Sequence, residues 1–163
     1  MAQMWPSVAS EARPVNFKSP HLEVEFDHLH PELRALVLAL DEWSAEHKFA
    51  AVLVAHALRT LDDQERIYLP IYQENTGLPP ERARALARQR FSWHLVGCAV
   101  DIRNSHYSED ERRAVMSWLR GRVEPVAGDW ELLEHDIGRG EHIHLARRDV
   151  AWRKAHSPHG GST

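Results

Sequence analysis

The chain has 163 residues, of which 43% are hydrophobic and 27% charged, with a formal net charge of −4. This length favours one domain with a substantial core, and the slight negative charge argues against a nucleic-acid partner that is bound through its phosphates. Twelve histidines stand against a single cysteine, so the chain is rich in metal-capable side chains but cannot form an intrachain disulfide.

The two ends of the chain carry no periodic pattern. Residues 1–20 contain scattered prolines and predict an extended arm, and residues 156–163 predict a loose tail. Residues 1–6 lack the basic and apolar regions of a signal peptide, and no apolar run approaches the roughly 18 residues of a membrane span. We therefore expect the chain to form a single domain over 1–163 and not to insert into a membrane.

Helices are predicted by apolar residues at helical spacing and by capping residues. The strongest pattern runs from about 31 to 47, where apolar side chains recur at i, i+3, i+4 and i+7. Further helices are predicted at 62–74, bent or ended by Pro70, at 81–90, at 108–120, ended by Gly121, and at 148–155.

Strands are predicted between these helices. Residues 49–58 form an apolar run interrupted only by His56, which favours a buried strand, and 92–104 resembles a strand that enters a core. Residues 130–135 and 142–146, joined by a glycine-rich turn at 138–140, predict an antiparallel hairpin. Together these elements predict an α+β fold, with a small, mostly antiparallel sheet flanked by helices.

The most informative stretch reads S-x-H-x-x-G-x-A-x-D, from Ser92 to Asp101. His94 and Asp101 are seven residues apart, which on a regular strand would put them on opposite faces. Gly97 between them can host a bulge or bend that turns both side chains to one side. Taken alone, His94 could equally be a metal ligand or a hydrogen-bonded polar residue beside a core strand.

A second set of metal-capable residues lies at Glu141, His142 and His144. On a strand the two histidines point to one face, and Glu141, which follows a turn, can reach the same cavity. An exposed hairpin end would also explain these residues. However, Asp101 lies in an otherwise apolar strand and needs a partner or a metal ion to offset its burial. Two histidines and a carboxylate can hold zinc and leave one position open for water.

These motifs resemble those of a family. S-x-H-x-x-G-x-A-x-D followed by E-x-x-H is similar to the zinc peptidases that cut peptides containing D-amino acids in bacterial cell walls. They include D-alanyl-D-alanine carboxypeptidases and dipeptidases, and the L-alanyl-D-glutamate endopeptidases of phage endolysins. R-T-L-D-D-Q from Arg59 to Gln64 matches the family's R-[ST]-x-x-[ED]-Q element, and G-D-W at 128–130 is similar to its Gly-x-Trp segment. The resemblance covers about residues 50–146.

The resemblance implies His94, Asp101 and His144 as ligands of a zinc ion on the sheet. It further implies Glu141 as the general base and Arg59 as the cation near the scissile carbonyl or a substrate carboxylate.

Ser92 and Gln64 are weaker candidates, for hydrogen bonds that orient a ligand or a loop. An ordinary ion pair of Arg59 with Asp62 or Asp63 is the alternative to its functional role.

Two departures from the family pattern leave alternatives open. The sequence E-H-I-H contains H-x-H as well as E-x-x-H, so His142 is a rival for the base. The stretch at 67–90 is long and basic, and there are two interpretations of its arginines. They either line a cleft for an anionic stem peptide or form a solvated helix surface. These arginines are Arg82, Arg84, Arg88 and Arg90.

We therefore expect a zinc-dependent peptidase that hydrolyses the peptide stem of peptidoglycan, as an L-Ala-D-Glu endopeptidase or a D-Ala-D-Ala carboxypeptidase. Such an enzyme acts at the cell wall or in the periplasm and is encoded by a phage or a bacterium. A non-catalytic zinc-stabilised module, such as a virion component, and a zinc-free structural domain are the alternatives. The sequence leaves the oligomeric state open.

Overall fold

The computed structural model describes residues 15–135 and 141–158, apart from the side chains of residues 75 and 76. The strands are β1 (Asn16–Phe17), β2 (Leu53–His56), β3 (Ala99–Arg103), β4 (Trp130–His135) and β5 (His142–Arg147). The helices are α1 (Pro20–Asp27), α2 (Pro31–Glu46), α3 (Leu61–Thr76), α4 (Pro80–Gln89), α5 (Glu109–Val123) and α6 (Val150–His156). Two short 3₁₀ helices cover Trp93–Val96 and Glu124–Val126.

The described strands form one sheet in the order β1-β2-β3-β5-β4. β1 pairs with β2 in parallel, and the other three pairings are antiparallel. The predicted α+β fold with a mostly antiparallel sheet is therefore confirmed, as is the β4–β5 hairpin. The predicted turn at 138–140 lies outside the described residues.

The two faces of the sheet differ in chemistry. Along β3 and β5, Val100, Ile102, Ile143 and Leu145 are fully buried in the hydrophobic core. Residues alternate between the faces of a strand, so Asp101 and its neighbours in β5 point the other way. The fold thus sets a polar site on one face of the central strands and packs the other against the core.

That core is formed with residues of α1, α2 and α5, whose buried apolar residues include Phe26, Leu33, Leu40, Val115 and Leu119. Cys98, just before β3, is fully buried, and burial raises the pKa of its thiol to about 12. None of the helices in the described part of the chain is long and apolar enough to cross a membrane.

The helices at 31–47, 62–74, 81–90 and 148–155 are confirmed with small changes of boundary, and Pro70 does not end the second of them, because α3 continues to Thr76. The predicted helix end at Gly121 is wrong, because α5 runs through it to Val123. A glycine inside a helix costs only about 1 kcal/mol, which the buried side chains of Leu119 and Val123 offset. In α5, tertiary packing therefore outweighs the local signal.

The N-terminal arm and the strand at 49–58 also need correction. Val15 is buried, β1 joins the sheet, and α1 begins at Pro20; residues 1–14 lie outside the described part. α1 was not predicted from the sequence; it is only eight residues long and buries just Leu22 and Phe26, while Val24 between them is 62% exposed. The predicted strand at 49–58 is reduced to Leu53–His56, and α6 takes up His156 from the predicted tail.

Candidate metal centre

Asp101 and His144 are brought together by the register of the sheet. They are directly paired across β3 and β5, and the Asp101 Oδ1 atom lies 2.9 Å from His144 Nδ1. Because both residues sit on regular strands, their separation is set by backbone pairing rather than by a loop. Asp101 is only 5% exposed.

His94 reaches the same point from a 3₁₀ turn, and not from the strand that the sequence predicts. The turn begins at Ser92, whose hydroxyl accepts a hydrogen bond from the His94 amide at 3.4 Å. It ends at Gly97, which adopts φ = 69°, a conformation that favours glycine. The predicted bend at Gly97 is therefore present, and it leaves His94 Nε2 3.2 Å from Asp101 Oδ1.

We call His94, Asp101 and His144 the ligand cluster. One ligand atom from each lies within 4.8 Å of the others, and all three residues are buried or nearly so. In the described part of the chain this is the group of histidine and carboxylate side chains that can hold a metal ion. The predicted ligand set is thus brought together, although its geometry does not identify zinc among divalent metals.

The second nitrogen of each imidazole in the cluster is already engaged. His94 Nδ1 donates to the carbonyl of Ala57 at 2.6 Å, and His144 Nε2 lies 3.3 Å from a carboxylate oxygen of Glu131. Histidines that bind metals commonly donate their other N–H to such an acceptor, which fixes the tautomer. Both rings are therefore oriented as metal ligands.

This orientation leaves a conflict that a cation removes. A neutral imidazole carries a single N–H. If that proton is on His94 Nδ1 and on His144 Nε2, the two nitrogens that face Asp101 are both lone-pair acceptors beside a carboxylate oxygen. A bound metal ion, or an added proton on each ring, is needed to make these contacts favourable. The ligand atoms of the cluster therefore fit a divalent metal ion.

The Asp101 carboxylate is held in its ionised form. Burial by itself would raise its pKa, but when no metal ion is bound and the rings carry the added protons, the charge of His94 and the hydrogen bonds from both histidines hold the pKa of Asp101 well below its usual range. Two further histidines surround it, with His56 Nδ1 3.7 Å from Oδ2 and His142 Nε2 3.8 Å from Oδ1. An ionised, buried carboxylate among imidazoles is a strong site for cations.

Arg59, Gln64 and Ser92, predicted from separate motifs, are also in contact. Arg59 Nη1 donates to Gln64 Oε1 and to Ser92 Oγ, both at 3.2 Å, and the Arg59 amide donates to the His94 carbonyl. Asp62 pairs with Arg88, while Asp63 caps α3 through Thr60. The guanidinium of Arg59 is thereby fixed beside the ligand cluster.

Two cavities meet at this site and share Arg59 and His94. The first, of 310 Å³, exposes the whole ligand cluster, and its wall also includes Tyr68, Arg90, Phe91, Ser92, Trp93, Glu131, Leu133, His135 and His142. The second, of 370 Å³, extends along β2 and α1. Burial, followed by the charge of His142, lowers the pKa of His135 in the first cavity.

The two candidate bases lie in different surroundings. Glu141 precedes β5, and its carboxylate accepts a hydrogen bond from Arg112 of α5 at 2.9 Å, with 55% of the side chain exposed. His142 is 7% exposed and lies on the wall of the first cavity. Of the two, His142 is the one beside the ligand cluster, whereas Glu141 faces α5 in this conformation.

Glu131 and the Ala57 carbonyl, which orient the ligand histidines, were not predicted. A signal for Glu131 does exist in the hairpin. Leu133 pairs with His144, so Glu131, Leu133 and His135 share the face of His142 and His144. Assigning the register of the hairpin would have found this carboxylate, but the Ala57 carbonyl leaves no trace in the side-chain pattern.

Comparison of the chain with protein-family models, curated proteins and solved structures finds no match. The resemblance to cell-wall zinc peptidases therefore rests on the motifs themselves and on the contacts among the residues that carry them.

Proposed function

We propose that the protein is a zinc-dependent peptidase that hydrolyses the peptide stem of bacterial peptidoglycan. The observation that carries the proposal is the ligand cluster, which opens into a cavity beside a fixed arginine. Two imidazoles and one carboxylate with an open side are a common ligand set of catalytic zinc sites. The motif resemblance supplies the substrate class.

His94 Nε2, Asp101 and His144 Nδ1 are the atoms that would hold the ion. When bound, a divalent cation of this kind supplies Lewis acidity and brings the pKa of water towards about 7. Glu131 and the Ala57 carbonyl keep the imidazoles in the required tautomers, and the hydrophobic core behind β3 and β5 keeps the strands rigid.

Arg59 would stabilise negative charge on the substrate. Its guanidinium is anchored by Gln64 and Ser92 and lies in both cavities. A donor that is already positioned where an oxyanion forms contributes roughly 3–4 kcal/mol to transition-state stabilisation. Arg59 can serve a carbonyl oxygen of the scissile bond without reorganising.

Proton transfer is assigned to His142 in this conformation. It borders the cavity, lies 3.8 Å from Asp101, and in its neutral form can accept a proton from water and return it to the leaving amine. Glu141, the base that the E-x-x-H motif implies, would take this role once its carboxylate leaves Arg112.

The two cavities support an endopeptidase in preference to a carboxypeptidase. They share Arg59 and His94 in their walls, so a peptide that occupies both would extend beyond the ligand cluster towards α1. An L-Ala-D-Glu bond lies within the stem peptide and needs such room, whereas a terminal D-Ala needs room mainly on one side.

The test is to digest purified peptidoglycan with zinc-loaded protein and to identify the new termini by mass spectrometry. New amino termini on D-Glu are expected. Free D-Ala would instead assign a carboxypeptidase, and an undigested wall would overturn the proposal. Asp101→Asn should be inactive, while Asp110→Asn, on the exposed start of α5, should digest the wall as the wild type does.

A zinc-stabilised binding or structural module is the second candidate. The observation that favours it is the Arg112–Glu141 ion pair, which keeps the expected catalytic carboxylate away from the ligand cluster. Such a module would bind one zinc ion and lose thermal stability with a chelator, yet release no peptide from the wall. Measuring both zinc content and wall digestion separates the two functions.

A further inference from the structure

The arginines of α4 and its C-terminal end differ in their partners. Arg84 pairs with Glu65 of α3 at 2.7 Å, and Arg88 pairs with Asp62 and Glu65 at 2.8 and 3.0 Å. These ion pairs join α3 to α4. Arg84 and Arg88 therefore serve the packing of two helices, which is the solvated-helix alternative of the sequence analysis.

Arg90 differs from both. It follows α4 directly and is exposed on the wall of the cavity that holds the ligand cluster. Its guanidinium lies over the ring of Tyr68, 4.4 Å from the centroid, and hydrogen-bonds with Tyr72. In the described part of the chain its side-chain partners are therefore phenol rings and not carboxylates.

The acidic groups of the same cavity are already engaged. Asp101 holds the histidines of the ligand cluster, and Glu131 contacts His144 and accepts from Arg148 at 2.7 Å. Among the described residues, no carboxylate therefore pairs with the Arg90 guanidinium. A planar guanidinium in a cavity, held by aromatic rings and without an acidic partner, matches the geometry of a carboxylate ligand.

Arg90 and Arg59 are linked through one buried residue. Gln64 is fully buried; its carbonyl oxygen accepts from Arg59, and its amide donates to the Arg90 backbone carbonyl at 2.8 Å. Gln64 thus fixes the Arg59 guanidinium and the Arg90 backbone relative to each other, while Tyr68 and Tyr72 hold the Arg90 guanidinium. Both cations line the cavity of the ligand cluster, where they can contact two separate groups of one substrate.

We propose that Arg90 determines substrate specificity by binding a carboxylate on the residue next to the scissile bond. The inference rests on the proposed peptidase function and narrows its substrate class to peptides that carry a free carboxylate at this position. In an L-Ala-γ-D-Glu stem, the α-carboxylate of the glutamate is such a group. Stems in which it is an amide are the poorer substrates.

The test uses two peptides that differ in this one group: N-acetyl-L-alanyl-γ-D-glutamyl-L-lysine and its D-isoglutaminyl counterpart. The zinc-loaded wild type should cleave the free acid about 10- to 100-fold better in kcat/KM, the range of a charged hydrogen bond. Arg90→Gln should bring this ratio close to one, and Arg90→Lys should retain part of it. Arg88→Gln, whose partners lie on α3, is the matched control and should keep the full preference.

A second measurement does not depend on turnover. Calorimetric titration with the product γ-D-glutamyl-L-lysine and with its amide should show the same preference in wild type and its loss in Arg90→Gln. Arg90 is exposed, so the variant should keep the thermal stability of the wild type.

The outcomes separate the two claims. If the wild type cleaves both peptides and Arg90→Gln keeps the wild-type ratio, or if the wild type shows no preference, the role of Arg90 is overturned and the peptidase stands. If the wild type cleaves neither peptide and does not digest the wall, the proposed function fails and the specificity claim fails with it.

Discussion

The two halves of the candidate site are built in different ways. The residues of the ligand cluster come from two paired strands and a glycine-terminated turn, and each histidine has a second, fixed partner. The candidate bases, Glu141 and His142, stand at the start of β5, where one side chain faces α5 and the other the cavity. The group that can hold a metal ion is therefore built largely into the sheet, whereas the proposed proton transfer depends on the local conformation where β5 begins.

The largest effect is expected from removing the charge at the centre of the ligand cluster. Asp101→Asn should reduce bound zinc, measured by elemental analysis after gel filtration, from about one ion per chain to near none. At a free zinc concentration 100-fold above Kd, binding adds about 2.7 kcal/mol of stability. A chelator should therefore lower the Tm of the wild type and leave that of Asp101→Asn unchanged. Equal zinc content in the two proteins would show that the cluster is not the metal site.

The two candidate bases should separate by activity at constant metal content. His142→Asn should keep its zinc and lose about 10²- to 10⁴-fold in kcat on peptidoglycan fragments, the usual contribution of a general base. Glu141→Gln, its matched partner at the adjacent position, should retain most activity. The reverse result would assign the base to Glu141, and it would mean that the Arg112–Glu141 ion pair opens during turnover.

A smaller loss is expected from the group that orients His144. Glu131→Ala removes the acceptor of His144 Nε2, and loss of such a partner typically weakens metal binding about 10- to 100-fold. Competition with a fluorescent zinc chelator would measure the change. Glu134 lies on the same strand but contacts Arg112 and Asn104 instead. The Glu134→Ala variant should therefore bind zinc as the wild type does. Identical affinities in the two variants would remove Glu131 from the site.

The mildest test compares two glycines. A Cβ at Gly97 would lie 3.3 Å from both the His28 carbonyl and the Leu58 side chain, at φ = 69°. Gly97→Ala should therefore destabilise the fold by about 1–3 kcal/mol in chemical denaturation, and shift His94. A Cβ at Gly121, inside α5, meets nothing within 4 Å, so Gly121→Ala should stabilise by about 0.4–1 kcal/mol. Equal free energies of unfolding for the two variants would show that the bend at Gly97 accepts an alanine without strain.

Part of the site was predictable because Asp101, His142 and His144 lie at fixed intervals on regular strands. The shared face of His142 and His144 follows from strand alternation once β5 is recognised, and their meeting with Asp101 was implied by the motif resemblance. Arg59, Gln64 and Ser92 were singled out separately by the motif resemblance, and the structure adds the contacts among them. In these cases a short segment of backbone determines the position of the side chain.

The remaining features depend on contacts between distant parts of the chain. The continuation of α5 beyond Gly121 follows from the burial of Val123, a tertiary contact that local propensity does not contain. The direction of Glu141 depends on Arg112, 29 residues earlier in the chain. The distinction of Arg90 from Arg84 and Arg88 likewise depends on which acidic residues α3 presents.

Cys98 has a practical consequence for work on this protein. It is the single cysteine of the sequence, it is fully buried, and its thiol has a pKa of about 12. At neutral pH it is almost entirely protonated and shielded from reagents. A cysteine introduced on the exposed surface, for example by Glu81→Cys, would thus be the sole reactive thiol. A fluorophore or spin label can thus be attached at a chosen surface position while the native Cys98 is kept.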